Sequence, residues 1–470
     1  MKKGQLIKII LIALVTLVLW NLPVPEGLEA DTWHLVALYI GMLVGLVTTP
    51  FPAPVVAMIM VGLASVFYNK SVLFKGYGNG MTWFICEVTI VCTAFIKTGL
   101  GRRIAYNLLK RSGKSTLGLG YMLVLTDFIL SPATGSNSSR TSIIYPIFQS
   151  IAEGAGSYPD KEPKKLGAYL SALMYASSQG TSALFLTGMA TNAITVSLAT
   201  EMLGINISWG QWFAASVVPI GLFLLAAPLV IYKVLPPTLK TLDEVKPLAE
   251  QGLKELGPMT GKEKRLLVLF VLAILGWMLG SKIPGVDLGM QPVGFVFLAL
   301  VLLFGVLDWN DVAGAKGAWN IFIWYGAFYG LANALADAGF YTWLAEKLGS
   351  VMNLTSVNGI VVAVILVAVS LAVRYFFVSN SAFVASFYPV LYSLLATTGA
   401  NAMMVVLLLS FLSPIGALLT HYGNGAGLIS FAPGYVSQGE FWKVGTVMVL
   451  VGTLILFCIG IPYWALIGMI

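Results

Sequence analysis

The chain consists mostly of apolar runs about twenty residues long, separated by short polar segments. Runs of this length match the stretch that an α-helix needs to cross a bilayer. They predict spans near residues 5–22, 33–49, 52–68, 80–100, 166–203, 209–234, 263–281, 289–307, 317–338, 401–433 and 441–468. The runs are too long, and alternate too little, for the strands of a membrane barrel. We therefore expect an all-α polytopic membrane protein with eleven spans.

Two further regions, 115–152 and 357–397, are apolar but have polar residues near their centres. One contains "SNSSRTSIIYPI" (136–147) and the other "SNSAFVASFYPV" (379–390), with the same spacing from Asn to the Tyr-Pro pair. Irregular backbone at membrane depth needs polar partners, which Ser and Asn supply in a small volume. Each region is therefore predicted to be a re-entrant hairpin with its tip inside the membrane.

The charged residues between the runs predict the topology. Segment 101–114 has five Lys/Arg and no acid, segment 233–265 has seven Lys/Arg, and segment 23–32 has three acids and no base. Basic loops usually lie on the cytoplasmic side. This places the N-terminus, as a retained first helix, in the cytoplasm and the C-terminus outside. It also makes the two hairpins enter from opposite faces of what we expect to be the plasma membrane.

The order of span, hairpin and interrupted helix occurs twice, in opposite orientations, which is typical of the inverted repeats of secondary transporters. The predicted organisation is as follows: scaffold helices in 1–100; the first hairpin and broken helix, as part of a transport domain, in 101–203; scaffold helices with an inner loop at 235–262 in 204–308; a scaffold helix and outer loop in 309–356; the second hairpin and broken helix in 357–433; and the last helix in 434–470.

The hairpin tips are the leading candidates for a binding site. A helix that begins at mid-membrane presents free N–H groups and a positive dipole end, and both attract anions. Ser136 or Ser138 would cap one such helix, and Ser379 or Ser381 the other. With Asn137 and Asn380, the two tips would each hold one carboxylate of a dianion. The alternative is capping of ordinary turns without a ligand.

The two interrupted helices are "SALFLTGMATNAI" (182–194) and "LLTHYGNGAGLI" (418–429). Gly beside Thr and Asn allows a helix to unwind and frees carbonyls for a cation or a water molecule. The alternative is a kink with a packing role. The candidates for substrate binding are Thr187 and Thr420, and those for a cation or charge-compensation site are Gly188, Thr191, Asn192, Gly423 and Asn424.

Ionisable residues near the tips are functional candidates because a charge at membrane depth is costly. Arg140 and Arg374 could bind a carboxylate as a fork, or could instead reach a membrane interface. His421 could bind substrate or serve as a neutral hydrogen-bonding residue. Asp127 could carry a proton or lock the first tip, and Glu87 has no assigned role.

Composition narrows the function further. Hydrophobic residues make up 58% of the chain and charged residues 10%. The net charge is +7, but its Lys and Arg residues lie in short loops, which argues against a nucleic-acid partner. Three cysteines lie in apolar runs and are expected to pack rather than to bind a metal. A membrane-embedded enzyme using a tip serine and His421 is an alternative, but no hydrolase motif is visible. No cofactor is expected, and the partners are a small anion and the lipid bilayer.

Three segments resemble the divalent-anion/sodium symporter (DASS) family, in the wider sodium:sulfate symporter and citrate transporter group. They are "KTGLGRRIAYNLLKRSGKSTLGLGYMLVLTDFILSPATGSNSSRTS", "LTHYGNGAGLI" and "GYVSQGEFWKVG". The most similar branch contains the 2-oxoglutarate/malate translocator and the citrate/succinate exchangers. The resemblance implies a homodimer whose transport domain moves like an elevator, and paired Ser-Asn-Thr motifs that bind carboxylates beside two sodium sites. Here Ser138 and Ser381 replace the threonines.

Three positions depart from the pattern that the resemblance implies. Phe383 and Arg374 stand where this branch often has histidine, and Pro132 stands where sodium-coupled members tend to have a hydroxyl. The expected function is therefore exchange of C4–C5 dicarboxylates such as succinate, malate, fumarate or 2-oxoglutarate. Na⁺ dependence is possible but not favoured. The alternatives are a sodium-coupled dicarboxylate or citrate symporter and an anion channel.

Overall fold

The computed structural model describes residues 3–68, 70–111, 114–242, 245–280, 288–352 and 357–470. Over these residues the fold is helical, with one isolated β-bridge between Ser115 and Thr241. Seven of the described helices are long and apolar enough to cross a membrane, and four shorter apolar helices accompany them. The all-α expectation is confirmed, whereas the count of eleven spans stays a prediction.

The first part of the chain forms six helices. They are α1 (Lys3–Asn21), α2 (Ala30–Thr48), α3 (Ala53–Phe67), α4 (Lys70–Gly78), α5 (Gly80–Thr98) and α6 (Leu100–Leu109). Large apolar side chains are exposed along α1 and α3, as expected for helices that face lipid. Helix α6 lies in the basic segment 101–114, which the sequence analysis treated only as a loop.

A helical pair and an interrupted helix follow. The pair is α7 (Thr116–Leu130) and α8 (Asn137–Gly154), joined through a 3₁₀ turn at Ser131–Ala133; the interrupted helix is α9 (Gly167–Leu184) and α10 (Ala190–Leu203), separated by a 3₁₀ turn at Leu186–Gly188. Every residue of α9 is buried, and α9 packs against α7, α8, α11 and α20. It is therefore the central element of this half.

The middle of the chain adds seven helices. They are α11 (Trp209–Val234), α12 (Val245–Leu256), α13 (Gly261–Leu279), α14 (Met290–Leu303), α15 (Trp309–Ala313), α16 (Lys316–Asp337) and α17 (Phe340–Met352). The segment 235–262, expected to be a loop, contains α12. That helix packs on α6 so closely that a Cβ at Gly252 would lie 2.4 Å from the Tyr106 ring. Burial of its apolar face explains why this polar segment is helical.

The same pattern returns near the C-terminus. Helices α18 (Gly359–Val373) and α19 (Asn380–Ala396) form the second pair, with a 3₁₀ turn at Arg374–Phe376; α20 (Ala402–Gly416) and α21 (Gly425–Phe431) form the second interrupted helix, with a 3₁₀ turn at Ala417–Leu419. Helix α22 (Gln438–Ile455), a π-helical turn at Leu456–Gly460 and α23 (Ile461–Leu466) end the fold.

The repeated Tyr-Pro pairs anchor each helical pair to the interrupted helix of the same half. The hydroxyl of Tyr145 lies 2.6 Å from Ser171 Oγ on α9. The hydroxyl of Tyr388 donates to the carbonyl of Leu409 on α20 at 2.7 Å. Both tyrosines are buried, so these bonds fix the arm that follows each tip. This equivalence accounts for the identical spacing in the two copies.

Candidate functional site

Each Ser-Asn-Ser motif begins a helix, and its first serine is the N-cap. Ser136 Oγ accepts from the amide of Ser139 at 3.3 Å, and Ser379 Oγ accepts from the amide of Ala382 at 3.3 Å. Ser138 and Ser381, the other two candidate caps, lie inside the first turn. The first amides of a helix have no carbonyl partner within it. Each tip therefore presents N–H donors together with polar side chains.

The first tip contacts the second interrupted helix through Gln179. The Gln179 Oε1 atom accepts from Asn137 Nδ2 at 3.4 Å and from Asn424 Nδ2 at 2.8 Å. Ser138 lies so near the start of α21 that a Cβ at Gly425 would be 2.4 Å from its Oγ. The tip of one half is thus in direct contact with the helix break of the other half.

The second tip makes the reciprocal contact. Ser381 Oγ lies 3.1 Å from Thr191 Oγ1 on α10, and Asn380 Nδ2 lies 3.7 Å from Met189 Sδ. The next residue of this break, Ala190, donates its amide to the carbonyl of Gly135 in the first tip at 3.1 Å. The break between α9 and α10 therefore lies between the two tips. Asn137 and Asn380 are 5% and 3% exposed, so the polar cluster is buried.

Arg140 is fully buried, and its N–H groups donate hydrogen bonds to protein groups. Its Nε donates to Asp127 Oδ1 at 2.5 Å. Its Nη1 and Nη2 atoms donate to groups that surround the first break: Thr134 Oγ1, the Gly188 carbonyl, the Ser178 carbonyl, Thr181 Oγ1 and Ser182 Oγ. A guanidinium has five N–H donors, so none is left for a ligand in this arrangement. This differs from the expectation that Arg140 binds substrate.

Both carboxylate oxygens of Asp127 also accept hydrogen bonds from the protein. Its second oxygen, Oδ2, accepts from Ser177 Oγ at 2.8 Å and from Thr181 Oγ1 at 2.7 Å. Both charged groups are 0% exposed. The pair joins α7, α8 and α9 through one network, which fits the tip-locking role considered for Asp127.

Arg374 is equally buried but differently paired. It is 2% exposed, and it donates from Nη1 to the Phe377 carbonyl at 2.7 Å and from Nη2 to the Gly423 carbonyl. Its Nε has no hydrogen-bond partner, and its guanidinium carbon lies 5.2 Å from the centre of the Phe383 ring. Among the described residues no Asp or Glu pairs with it. Arg374 is thus a buried cation without an acidic counterpart.

The carbonyls freed at the two breaks are bonded to side chains. Asn192 Nδ2 donates to the carbonyls of Ser182 and Phe185 at 2.7 and 2.9 Å. The Gly188 carbonyl accepts from Arg140 and the Gly423 carbonyl from Arg374, so the two arginines have equivalent partners in the two halves. Asn424 caps α21 by accepting the amide of Gly427 at 3.2 Å.

Three other candidates lie beside the breaks, and their hydrogen-bond partners are not residues of the tips. Thr187 Oγ1 accepts from the indole of Trp209 at 3.3 Å. His421 Nδ1 accepts from the indole of Trp442 at 3.1 Å, and its ring centre lies 4.4 Å from that of Phe431. The Thr420 carbonyl accepts from the hydroxyl of Tyr175 at 3.2 Å. The side chains of Thr187 and His421 therefore contact the surrounding helices.

Sequence reasoning missed two polar residues of the cluster. Gln179 bridges Asn137 and Asn424, and Ser413 on α20 donates to Asn380 Oδ1 at 3.3 Å. The run "SSQGTS" (177–182) inside an apolar segment was the available signal for Gln179. Ser413 is a lone hydroxyl in an apolar helix, a pattern too common to indicate a site.

Comparisons with known proteins place the chain in a family. Residues 3–470 match the model of the sodium:sulfate symporter transmembrane region. The chain is 39% identical to the inner membrane protein YbhI of Escherichia coli K12, over 99% of this chain and 98% of that protein. It is 33% identical to the L-tartrate/succinate antiporter of the same strain, over 94% of each chain.

A solved structure has the same overall fold. Neisseria gonorrhoeae MtrF superposes with a TM-score of 0.56, at 15% sequence identity, over 98% of this chain and 94% of that one. This similarity supports the polytopic helical architecture and nothing finer. With the family match over almost the whole chain, the enzyme alternative is set aside. The chain belongs to the sodium:sulfate symporter (DASS) family of multi-pass membrane transporters.

Proposed function

We propose that the protein is a secondary carrier that exchanges C4–C5 dicarboxylates across the membrane. The observation that carries this proposal is the contact of each hairpin tip with the helix break of the opposite half. Ser138 lies against Gly425, and Ser381 bonds to Thr191. Two helix N-termini therefore point their donors at one buried polar cluster, which suits a small anion with a charge at each end.

In this proposal one carboxylate binds at each tip. The amides and side chains of Asn137 and Ser138 serve the first carboxylate, and those of Asn380 and Ser381 serve the second. Arg374 supplies a positive charge beside the second tip, whereas Arg140 becomes a positioning residue because Asp127 neutralises it. The substrate class agrees with the L-tartrate/succinate antiporter to which the chain is similar.

The charges of the site favour exchange over symport. A buried cation without an acidic partner is costly to carry through hydrocarbon. Within the part of the chain that the structure describes, the partners of Arg374 are carbonyls and not carboxylates. A bound dianion offsets that charge, so the loaded carrier moves more readily than the empty one. The Gly188 and Gly423 carbonyls, candidate ligands for a cation, are bonded to Arg140 and Arg374. The alternative of sodium-coupled symport needs carbonyls that are free for Na⁺.

The wider architecture is part of the same proposal. The two helical pairs are re-entrant hairpins that enter from opposite faces, within an inverted repeat of eleven spans. The equivalent anchors of Tyr145 and Tyr388 support the repeat. The hairpins and broken helices form a transport domain that moves like an elevator against the scaffold of a homodimer. The N-terminus is cytoplasmic and the C-terminus lies outside.

Counterflow in proteoliposomes tests the exchange mechanism. We expect labelled succinate to enter vesicles that contain unlabelled dicarboxylate, with or without sodium. Vesicles without internal dicarboxylate are the control and should accumulate little label. Sodium-driven uptake into those empty vesicles would overturn exchange in favour of symport. Failure to transport any dicarboxylate under either condition would overturn the substrate class.

A further inference from the structure

A cavity lies between the first tip and the basic segment 101–114, which we call the basic face of the protein. It has a volume of about 400 Å³ and is lined by residues of helices α5, α6 and α8. We call it the inner cavity; Phe95, Gly99 and Arg102 lie on one wall, and Ser142 and Ser150 on the other. Its volume lies within the range of small-molecule sites, roughly 300–1,000 Å³.

The inner cavity leads toward the tip that the proposed function assigns to a carboxylate. Ser142 Oγ donates to the carbonyl of Ser138 at 2.9 Å, so the cavity wall continues directly into that tip. At a rise of about 1.5 Å per residue, Ser142 is about 6 Å along the helix from Ser138, and Ser150 about 18 Å. An anion in the cavity would thus lie about one to three helical turns from the tip, depending on where along the wall it binds.

Arg102 is a cation of this cavity that the fold does not neutralise. Three neighbouring basic residues pair with an acid: Lys97 with Asp311 at 2.6 Å, Arg103 with Glu263 at 2.6 Å, and Lys110 with Glu250 at 3.3 Å. Arg102 is exposed, and no hydrogen bond or ion pair joins it to another described residue. The residues that line the cavity include no Asp or Glu.

A cavity of the same size on the opposite side of the first tip has a different chemistry. It also measures about 400 Å³, and its polar lining consists of neutral groups such as Asn79, Asn206 and Gln291. Between the two cavities the tip packs on α5, where a Cβ at Gly135 would lie 3.0 Å from Val88. Helix α5 therefore passes a neutral cavity, the tip and a cationic cavity in turn.

We propose that the inner cavity is a second, transient binding site for the dicarboxylate, with Arg102 as its cationic ligand. The inference rests on the proposed function, which supplies the dianion, and on the proposed topology, which places the basic face in the cytoplasm. A guanidinium can bind a carboxylate through two parallel hydrogen bonds. Substrate arriving from the cytoplasm meets Arg102 before the tip, whereas substrate from outside meets only neutral groups.

The test compares the two faces of the membrane in vesicles of opposite orientation. Inside-out and right-side-out vesicles are loaded with saturating succinate, and the KM for labelled succinate in the medium is measured. The variants are Arg102→Gln, Arg102→Lys and, as a control that removes an exposed charge from the same face, Lys264→Gln. A cleft lined by charges of one sign concentrates counter-ions tenfold or more, and one charge supplies part of that effect, so we expect Arg102→Gln to raise the cytoplasmic-side KM about fivefold at low ionic strength.

Four further results are expected. The outer-side KM stays unchanged, Arg102→Lys behaves nearly like the wild type, and Lys264→Gln has no effect. The difference between Arg102→Gln and wild type also shrinks at about 0.5 M salt, because screening weakens the attraction. An unchanged cytoplasmic-side KM, or equal changes on both faces, would overturn the inner site. A wild-type protein that transports no dicarboxylate would overturn the proposed function instead, so the two failures are distinguishable.

Discussion

Arg140 and Asp127 form an ion pair that is completely buried, with Arg140 Nε 2.5 Å from Asp127 Oδ1. The pair bonds in turn to the carbonyls and hydroxyls around the first helix break. Its geometry indicates that Arg140, a candidate substrate ligand, instead holds α7 and α8 against α9.

Asp127→Ala should be strongly destabilising because it leaves the Arg140 charge buried without a partner. Breaking a buried pair in this way costs about 3–5 kcal/mol, so we expect a much lower melting temperature and poor yield in detergent. Glu440→Ala is the control: it breaks the exposed ion pair of Lys164 and Glu440 (2.6 Å) and should cost about 1 kcal/mol or less. Equal effects of the two substitutions would contradict the locking role.

Asn137→Ala and Asn380→Ala should each abolish exchange while leaving the protein folded. Each side chain belongs to the buried cluster between the tips. If a carboxylate contact is lost at one end, we expect the transport rate to fall at least about a hundredfold, and this fall corresponds to ~2.7 kcal/mol. Counterflow of succinate gives the rate, and size-exclusion chromatography checks the fold. Ser386→Ala, whose hydroxyl bonds only within its own helix, is the control. Normal transport by either Asn variant would remove the tips from the binding site.

Gly425→Ala should weaken substrate binding by displacing the first tip. The added Cβ would lie 2.4 Å from Ser138 Oγ, and overpacking of this kind costs about 1–3 kcal/mol. We expect the KM to rise about tenfold. Gly221→Ala, where a Cβ would meet no atom within 4 Å, should change nothing. A Gly425→Ala protein with the wild-type KM would argue against close contact between the halves.

Arg374→Gln should loosen the coupling between inward and outward movement. The substitution removes the buried charge that the bound dianion offsets, so the empty carrier becomes easier to move. Efflux of labelled succinate from loaded vesicles, measured with and without succinate outside, reports the coupling. We expect the ratio of the two rates to approach one for Arg374→Gln, whereas Arg374→Lys should keep a strong dependence on external substrate. A ratio equal to that of the wild type in Arg374→Gln would contradict the charge argument.

The chain's local patterns determined the helical class, the positions of the apolar helices, the two Ser-Asn-Ser turns and the two interrupted helices. These features are visible in a sequence because hydrophobic length and helix-breaking residues act within a few positions of each other. The family match agrees with them. The segments expected to be loops were less well predicted. Helices α6 and α12 are stabilised by packing on each other, which the local pattern of apolar residues does not reveal.

Only the tertiary structure decided which charged and polar residues are available to a ligand. Arg140 and Arg374 look equivalent in the sequence, yet Arg140 meets Asp127, thirteen residues away, while Arg374 meets carbonyls and an aromatic ring. The cross-contacts of Ser138 with Gly425 and of Ser381 with Thr191 likewise join distant parts of the chain. The energy of a buried charge depends on the partner within a few ångströms. That partner is fixed by how the helices pack, which the spacing of residues along the chain does not specify.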